Sequence, residues 1–196
     1  MTNIRKTRKI PENSMKKAGN LPFCCDIKLK IGDPHMEKRP SCYEYFMGMT
    51  DLVAKRGTCT RKKLGAVLVK DKRVIATGYN GSPSGQPHCD DVGCFVVPTT
   101  QKIEGKEITR DHCIRTIHAE LNAILQCALH GIETKDATLY VMYNPCYYCA
   151  KAIIEAGIKR VVFKEDYYHN DGLDHKAIDM MRESGLIVEK FGDKNA

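Results

Sequence analysis

The sequence has no long apolar run anywhere along its length. A transmembrane helix needs roughly 20 apolar residues in succession, so we expect no membrane span. The basic N-terminus is not followed by an apolar run of signal-peptide length. With ten cysteines and no secretory signal, the chain is predicted to work in the reducing cytoplasm, where thiols bind metal or stay free.

The sequence also lacks a strong basic excess across most of its length. Its net charge is +7, yet residues 1–35 alone hold eight lysines and arginines against three acidic residues. Residues 36–196 are left with 23 basic and 21 acidic residues. A nearly neutral body is unlike the basic surface that commonly marks a polynucleotide groove. The charge pattern favours a small anionic substrate, and no polynucleotide partner is expected.

Length and composition indicate one folded domain behind a different N-terminal segment. The chain has 196 residues with 42% hydrophobic content, which is enough for one core. Residues 1–35 show no sustained periodicity and contain scattered proline and glycine. We predict a flexible basic leader or extension over 1–35 and the catalytic domain over 36–196. No internal repeat or low-complexity tract is present.

Hydrophobic periodicity predicts alternating helices and strands. The predicted helices are residues 41–56, 118–130, 146–156 and 177–183, and the predicted strands are residues 65–69, 74–78, 137–142, 159–163 and 186–188. A Gly/Pro-rich stretch over residues 80–115 is too long for an ordinary connection and is expected to be functional. Helical crossovers between strands cover both faces of a sheet. The expected fold is an α/β, three-layer α/β/α sandwich with a mixed five-stranded sheet.

Two short motifs carry the chemistry. His118-Ala-Glu120 opens one predicted helix, and Pro145-Cys-Tyr-Tyr-Cys149 opens the next. Cys146 and Cys149 are three residues apart, so they share a helix face and can hold one tetrahedral ion. His118 would be the third ligand. Three protein ligands with a fourth position left for water are typical of catalytic zinc, whereas structural zinc usually has four.

The two motifs gain their meaning from occurring together. Alone, a C-x-x-C pair is more often half of a structural zinc site or a redox pair. In this order, they match the H-x-E and P-C-x-x-C signature of zinc deaminases. Glu120 would then take a proton from the water that attacks C4 of cytosine, deliver it to N3, and later protonate the departing ammonia.

Three runs of sequence are similar to the deoxycytidylate (dCMP) deaminase family of the cytidine deaminase-like superfamily. They are residues 78–85 (Gly-Tyr-Asn-Gly-Ser-Pro-Ser-Gly), residues 118–124 and residues 145–154. The resemblance covers about residues 40–190 and extends to the late-competence proteins of bacteria. It implies the hydrolysis of dCMP to dUMP and ammonia, which supplies dUMP for thymidylate synthesis.

The resemblance also implies substrate contacts. In the family, the Asn of the Gly-Tyr-Asn-Gly run contacts the sugar, and a Tyr that precedes a His after the fourth strand lies near the nucleotide. We take two cations before the first strand as candidates for the 5′-phosphate, with ordinary solvated charges as the alternative. The predicted substrate-binding residues are Asn80, Ala119, Tyr168, Lys63 and Arg61.

The family further implies regulation by nucleotides. The resemblance implies a homohexamer that is activated by dCTP and inhibited by dTTP, with Mg²⁺ bound only together with a nucleotide effector. The effector site would lie at Asn80, Gly81 and Gly85.

A second, structural zinc is predicted in the long insert. Its candidate ligands are Cys59, Cys89, Cys94 and Cys113, with His88 as a substitute. Some family members, notably from phage, resemble this chain in holding a structural zinc partly through the equivalents of Cys59 and Cys89. Such ligands would offset the entropy of ordering a Gly/Pro-rich loop. The alternative is a set of loop thiols and a surface histidine.

Other functions share the same zinc motif. A tRNA adenosine deaminase would need a basic surface for RNA, which the nearly neutral body does not indicate. Another small-base or nucleoside deaminase is a second alternative. A third is a non-catalytic, zinc-folded competence or regulatory protein. Glu120 argues against it, because a structural zinc site has no use for that carboxylate.

Overall fold

The computed structural model describes residues 38–103, 105–167 and 173–193. The helices are α1 (Cys42–Ala54), α2 (Cys89–Val92), α3 (Ala119–His130), α4 (Tyr147–Glu155) and α5 (Leu173–Glu183). The strands are β1 (Gly65–Lys70), β2 (Arg73–Tyr79), β3 (Val96–Ile103), β4 (Lys106–Cys113), β5 (Thr138–Tyr143), β6 (Arg160–Glu165) and β7 (Ile187–Lys190). The predicted leader, residues 1–35, lies outside the described residues, so the domain boundary stays a prediction.

Five of the strands form one mixed sheet in the order β2-β1-β5-β6-β7. β1 lies between β2 and β5 and is antiparallel to both. β5, β6 and β7 are parallel, because helices connect them. The predicted mixed five-stranded sheet is therefore confirmed.

The sheet is covered on both faces, as neighbouring residues of β1 show. Val67 and Val69 belong to a buried cluster that contains Phe46 of α1. Ala66 and Leu68 belong to the other cluster, which contains buried residues of α3, α4 and α5. Since successive strand residues point to opposite faces, α1 forms one outer layer and α3–α5 the other. The predicted three-layer sandwich is confirmed.

Two glycines allow helices to pack directly on the sheet. A Cβ at Gly65 would lie 2.2 Å from the carbonyl oxygen of Thr50 in α1. A Cβ at Gly78 would lie 2.1 Å from the carbonyl oxygen of Ala119, at the start of α3. No side chain fits at these distances, so glycine at these two positions lets both helices pack this close to the sheet.

The stretch 80–115, predicted to be too long for an ordinary connection, contains α2 and a β-hairpin. β3 and β4 pair along their whole length, from Val96 opposite Cys113 to Ile103 opposite Lys106. They form a separate two-stranded sheet. The sequence did not predict these elements, because the hairpin buries little of its surface and therefore lacks a clear apolar alternation.

No helix within the three described ranges is both long and apolar enough to cross a membrane.

Candidate active site

The predicted site residues lie at one end of the five-stranded sheet, where several strands terminate. β2, β5 and β6 all terminate at this end, because β1 is antiparallel to β2 and β5, and β6 is parallel to β5. Gly81, just after β2, pairs with Ile117, and the Ile117 N–H donates to the Gly81 carbonyl at 2.8 Å. The Asn122 amide also donates to the Tyr79 carbonyl at 2.8 Å, which fastens α3 to β2. These contacts hold His118 at the end of the sheet.

Two helix starts bring three metal-binding side chains together. His118 is the N-cap of α3, Cys146 is the N-cap of α4, and Cys149 lies in the first turn of α4. His118 Nδ1 is 3.4 Å from Cys146 Sγ and 3.5 Å from Cys149 Sγ. All three donor atoms lie within 4.8 Å of one another. One imidazole and two thiols fit the ligand preference of zinc, with three protein donors rather than four.

The local electrostatics favour a thiolate at this cluster. Hydrogen bonds from Cys149 and His118 lower the pKa of Cys146 well below that of an ordinary thiol. The pKa of Cys149 is raised, because it shares its proton with Cys146 and is buried. The hydrogen bond to Cys146 raises the pKa of His118 to about 9. The Cys146 thiolate thus lies beside a protonated His118 and next to helix N-termini, and all three favour its negative charge.

Glu120 lies in the first turn of α3, beside the three metal-binding side chains. Its side chain is only 8% exposed, and burial raises the pKa of the carboxyl. The nearby His118 acts in the opposite direction and lowers it. A carboxyl whose pKa lies above its ordinary value is better matched to proton transfer, which is the property a general acid–base needs. The preceding Ala119, predicted to bind substrate, has its side chain in the core, so only its backbone could face a ligand.

Asn80 is buried at the end of β2, with both ends of its amide in use. Its Nδ2 donates to the Lys62 carbonyl at 2.7 Å, and its Oδ1 accepts from the Leu64 N–H at 2.8 Å. The amide therefore fastens the segment before β1 to the end of β2. Each end has capacity for one more hydrogen bond, so the predicted sugar contact stays a prediction.

The structure separates the three consecutive cations before β1. Arg61 turns towards the hairpin, where its Nη1 donates to the Asp111 carbonyl at 3.1 Å. Lys63 is exposed. Lys62 places its ammonium 3.7 Å from the ring centroid of Tyr143 and 4.8 Å from that of Tyr167. Sequence reasoning did not single out Lys62, because three adjacent cations look alike until the fold gives each a direction.

The predicted effector loop follows Asn80. Gly81 is buried against Tyr79 and Thr58, and Gly85 adopts a φ of 80° with no atom within 4 Å of a Cβ built there. The hydroxyl oxygens of Thr58 and Ser82 are buried without a hydrogen-bond partner among the described residues. Tyr168 and the adjacent His169 lie outside the described residues, so the role of Tyr168 stays a prediction.

A second cluster of thiols forms at the base of the hairpin. The sulfur atoms of Cys89, Cys94 and Cys113 lie within 4.8 Å of one another, and Cys89 Sγ is 3.7 Å from Cys113 Sγ. Cys59 is buried but does not belong to this group. His88 also lies outside it, although its Nδ1 is buried without a hydrogen-bond partner within the described ranges. The structure brings together three of the five predicted ligands.

Electrostatics distinguish the thiols of this second cluster. Burial raises the pKa of Cys89 to about 12. A hydrogen bond from Thr60, whose Oγ1 is 3.2 Å from the sulfur, lowers the pKa of Cys94 to about 7. A thiol that ionises near neutral pH is suited to metal binding.

The hairpin contacts the metal-binding helix α4. Gln101 of β3 donates through Nε2 to the hydroxyl of Tyr148 at 3.0 Å. Tyr148 lies between Cys146 and Cys149 in the chain. The insert is therefore fastened both to the segment before β1, through Arg61, and to the helix that presents two of the three metal-binding residues.

Known proteins are similar to this chain in sequence. The family model described as the cytidine and deoxycytidylate deaminase zinc-binding region matches residues 40–165. The ComE operon protein 2 of Bacillus subtilis is 44% identical over 153 residues, which are 78% of this chain and 72% of that protein. The deoxycytidylate deaminase of Schizosaccharomyces pombe is 37% identical over 78% of this chain, which spans only 45% of that enzyme.

A solved structure agrees with these relatives. The dCMP deaminase of cyanophage S-TIM5, determined in complex with dCMP and dUMP, superposes with a TM-score of 0.60 at 29% identity. The match covers 79% of this chain and 100% of the phage chain. With a family model that spans well over half of its length, the chain belongs to the zinc-binding cytidine and deoxycytidylate deaminase family.

Proposed function

We propose that this protein hydrolyses dCMP to dUMP and ammonia in the cytoplasm, and so supplies dUMP for thymidylate synthesis. One observation carries the proposal: a buried carboxyl, Glu120, lies beside the cluster of His118, Cys146 and Cys149. A zinc site that only stabilises the fold needs no such group. The family, and relatives named deoxycytidylate deaminase, support the choice of reaction and substrate.

The three side chains of the cluster would hold the zinc ion. When bound, zinc lowers the pKa of a water molecule so that it becomes a nucleophile near neutral pH. Glu120 accepts a proton from the water molecule that adds to C4 of the cytosine ring. The same carboxyl donates this proton to N3, then takes the second proton from the new C4 hydroxyl and passes it to the amino group, which leaves as ammonia while the C4 carbonyl forms. Because burial raises its pKa, Glu120 can hold the proton between these steps.

Regulation by nucleotides is part of the proposal. We infer a homohexamer that dCTP activates and dTTP inhibits, with Mg²⁺ entering only with the nucleotide effector. The pairing of Gly81 with Ile117 supports a link between the predicted effector loop and the active site, since it joins the loop to the residue before His118. A nucleotide bound at Gly81 and Gly85 could therefore move the start of α3.

The proposed reaction can be tested by the loss of the cytosine ultraviolet absorbance. Purified protein is incubated with dCMP, deoxycytidine and CMP in parallel, each with and without Mg-dCTP and dTTP. We expect turnover of dCMP, stimulation by Mg-dCTP and inhibition by dTTP, with the mass of a hexamer in light scattering. If none of the three substrates is consumed by protein that contains zinc, the nucleotide function is wrong and a tRNA substrate or a non-enzymatic role becomes the better reading.

We further infer a second, structural zinc at Cys89, Cys94 and Cys113. Their sulfur atoms already lie within 4.8 Å of one another, and Cys94 has a lowered pKa. A structural site needs a fourth ligand, which Cys59 or His88 would supply. The buried and unpartnered Nδ1 of His88, next to Cys89 in the chain, supports the histidine.

The second site predicts the metal content of the protein. We expect two zinc ions per chain by elemental analysis and one in Cys113→Ser, with a lower unfolding temperature because the insert loses its cross-link. Cys42→Ser, in α1, is the control and should retain both ions. One zinc in the unsubstituted protein, or two in Cys113→Ser, would contradict the prediction.

A further inference from the structure

We propose that Lys62 binds the 5′-phosphate of the substrate and so selects a nucleotide over a nucleoside. The inference rests on the proposed deaminase function and adds a specificity residue to it. It replaces Arg61 and Lys63, the two cations that the sequence suggests, with the neighbour between them.

Contacts of the backbone and of the side chain both hold Lys62 in place. Its carbonyl accepts a hydrogen bond of 2.7 Å from the buried amide of Asn80. Its ammonium lies 3.7 Å from the ring centroid of Tyr143 and 4.8 Å from that of Tyr167. The two rings are themselves in edge contact, with centroids 5.5 Å apart. A lysine held in this way loses less conformational entropy on binding a ligand than one that moves freely in solvent.

The aromatic support is itself attached to the active-site end of the sheet. Tyr143 is the last residue of β5, and Tyr167 lies just beyond the end of β6. The backbone N–H of Tyr167 donates to Oδ1 of Asn144. Asn144 is buried and directly follows Tyr143 in the chain. The rings and the lysine therefore form one unit at the end of the parallel strands.

The charge of Lys62 is not neutralised by a carboxylate among the described residues. Other ordered lysines of the sheet are paired: Lys164 with Asp51 at 2.8 Å, and Lys190 with Asp166. Lys62 instead contacts two neutral ring faces, which attract a cation without cancelling its charge. Because the residue is exposed, an anion can approach the ammonium from solvent and accept its hydrogen bonds.

Lys62 also lies at a suitable distance from the chemistry. Tyr143 precedes Cys146 by three residues, and three residues of chain span at most about 10 Å. The backbone of Tyr143, whose ring contacts the Lys62 ammonium, therefore lies within about 10 Å of the backbone of Cys146. With cytosine at Glu120 and the cluster of His118, Cys146 and Cys149, the phosphate can reach the ammonium of Lys62.

The two other cations are less suited to this role. Arg61 already donates to the Asp111 carbonyl in the hairpin. Lys63 is exposed, and no ring contact or carboxylate partner within the described ranges orients it. Lys63 has the same side chain as Lys62 but lacks its contacts with the two tyrosine rings. It is therefore a matched control at the adjacent position.

The test compares Lys62→Met and Lys63→Met on dCMP and deoxycytidine. We expect Lys62→Met to raise the KM for dCMP by roughly tenfold to a hundredfold, the range for loss of a hydrogen bond between charged groups. Its kcat for dCMP and its kcat/KM for deoxycytidine should stay near the unsubstituted values. Lys63→Met should change no parameter by more than about twofold, and Lys62→Arg should restore most of the affinity because it keeps the charge.

Calorimetry with the product gives the same comparison without turnover. The Kd for dUMP should rise in Lys62→Met by the same factor as the KM, while binding of deoxyuridine should not change. If the unsubstituted enzyme consumes dCMP and Lys62→Met keeps its preference for dCMP over deoxycytidine and its Kd for dUMP, Lys62 does not bind the phosphate. If the unsubstituted enzyme fails to consume dCMP, the proposed function itself is wrong. The two failures are therefore distinguishable.

Discussion

Replacing Glu120 by Gln is expected to abolish deamination while zinc stays bound. The amide has nearly the same shape as the carboxyl but can neither accept the proton of the attacking water nor return it to N3 and the leaving ammonia. Loss of a general acid–base typically lowers the rate by about 10²–10⁴-fold. Since one group serves several proton transfers here, we expect the upper end of that range. The ultraviolet assay measures the rate, and elemental analysis measures the zinc content.

Glu155→Gln is the matched control for this substitution. Glu155 is an exposed residue at the end of α4, and its replacement should leave both turnover and zinc content unchanged. Substantial turnover by Glu120→Gln would show that another group moves the protons. Loss of the metal together with activity would show that Glu120 helps to hold the zinc, contrary to the assigned role.

Gly78→Ala is expected to destabilise the fold at the point where the active-site helix meets the sheet. The new Cβ would lie 2.1 Å from the Ala119 carbonyl oxygen and 2.4 Å from the Ala123 backbone nitrogen. Backbone atoms of a helix cannot give way locally, so α3 would have to move away from β2. Overpacking of this kind costs about 3 kcal/mol or more, which corresponds to a decrease of about 10 °C in melting temperature for a domain of this size.

Gly48→Ala separates this steric effect from the general effect of adding a methyl group. Gly48 lies within α1, is exposed, and has no atom within 4 Å of a Cβ built there. Because alanine favours a helix over glycine by about 1 kcal/mol, this variant should melt at the same or a higher temperature. Calorimetric melting of both variants makes the comparison. Equal melting temperatures for Gly78→Ala and the unsubstituted protein would contradict the close packing of α3 on β2.

The features that the sequence predicted well depend on local patterns. His118 and Cys146 each begin a helix, and the spacing of Cys146 and Cys149 requires no knowledge of distant contacts. The five strands of the main sheet have buried apolar residues, as at β1, so their periodicity was visible. The presence of two motifs at successive helix starts was therefore enough to predict the cluster.

The features that the sequence did not predict depend on contacts between distant residues. The direction of Lys62 is set by the Asn80 amide and by the ring of Tyr143 at the end of β5. These residues come 18 and 81 positions after Lys62 in the chain. The hydrogen bonds of the Asn80 amide to backbone atoms of residues 62 and 64 were not predicted either, and its contact with the sugar stays a prediction. The hairpin escaped prediction because exposed strands need no apolar alternation.

The hairpin closes at its own base, since Val96 pairs with Cys113. Residues added or removed at its far end, beyond Ile103 and Lys106, would change the reach of this arm without altering the number of residues between Cys113 and His118. The length of chain that leads into the catalytic cluster is thereby independent of the length of the insert, while the contact of Gln101 with Tyr148 lies before its far end. Insertions or deletions at the far end of the β3–β4 hairpin can therefore change the surface near α4, while His118, Cys146 and Cys149 keep their places in the sequence.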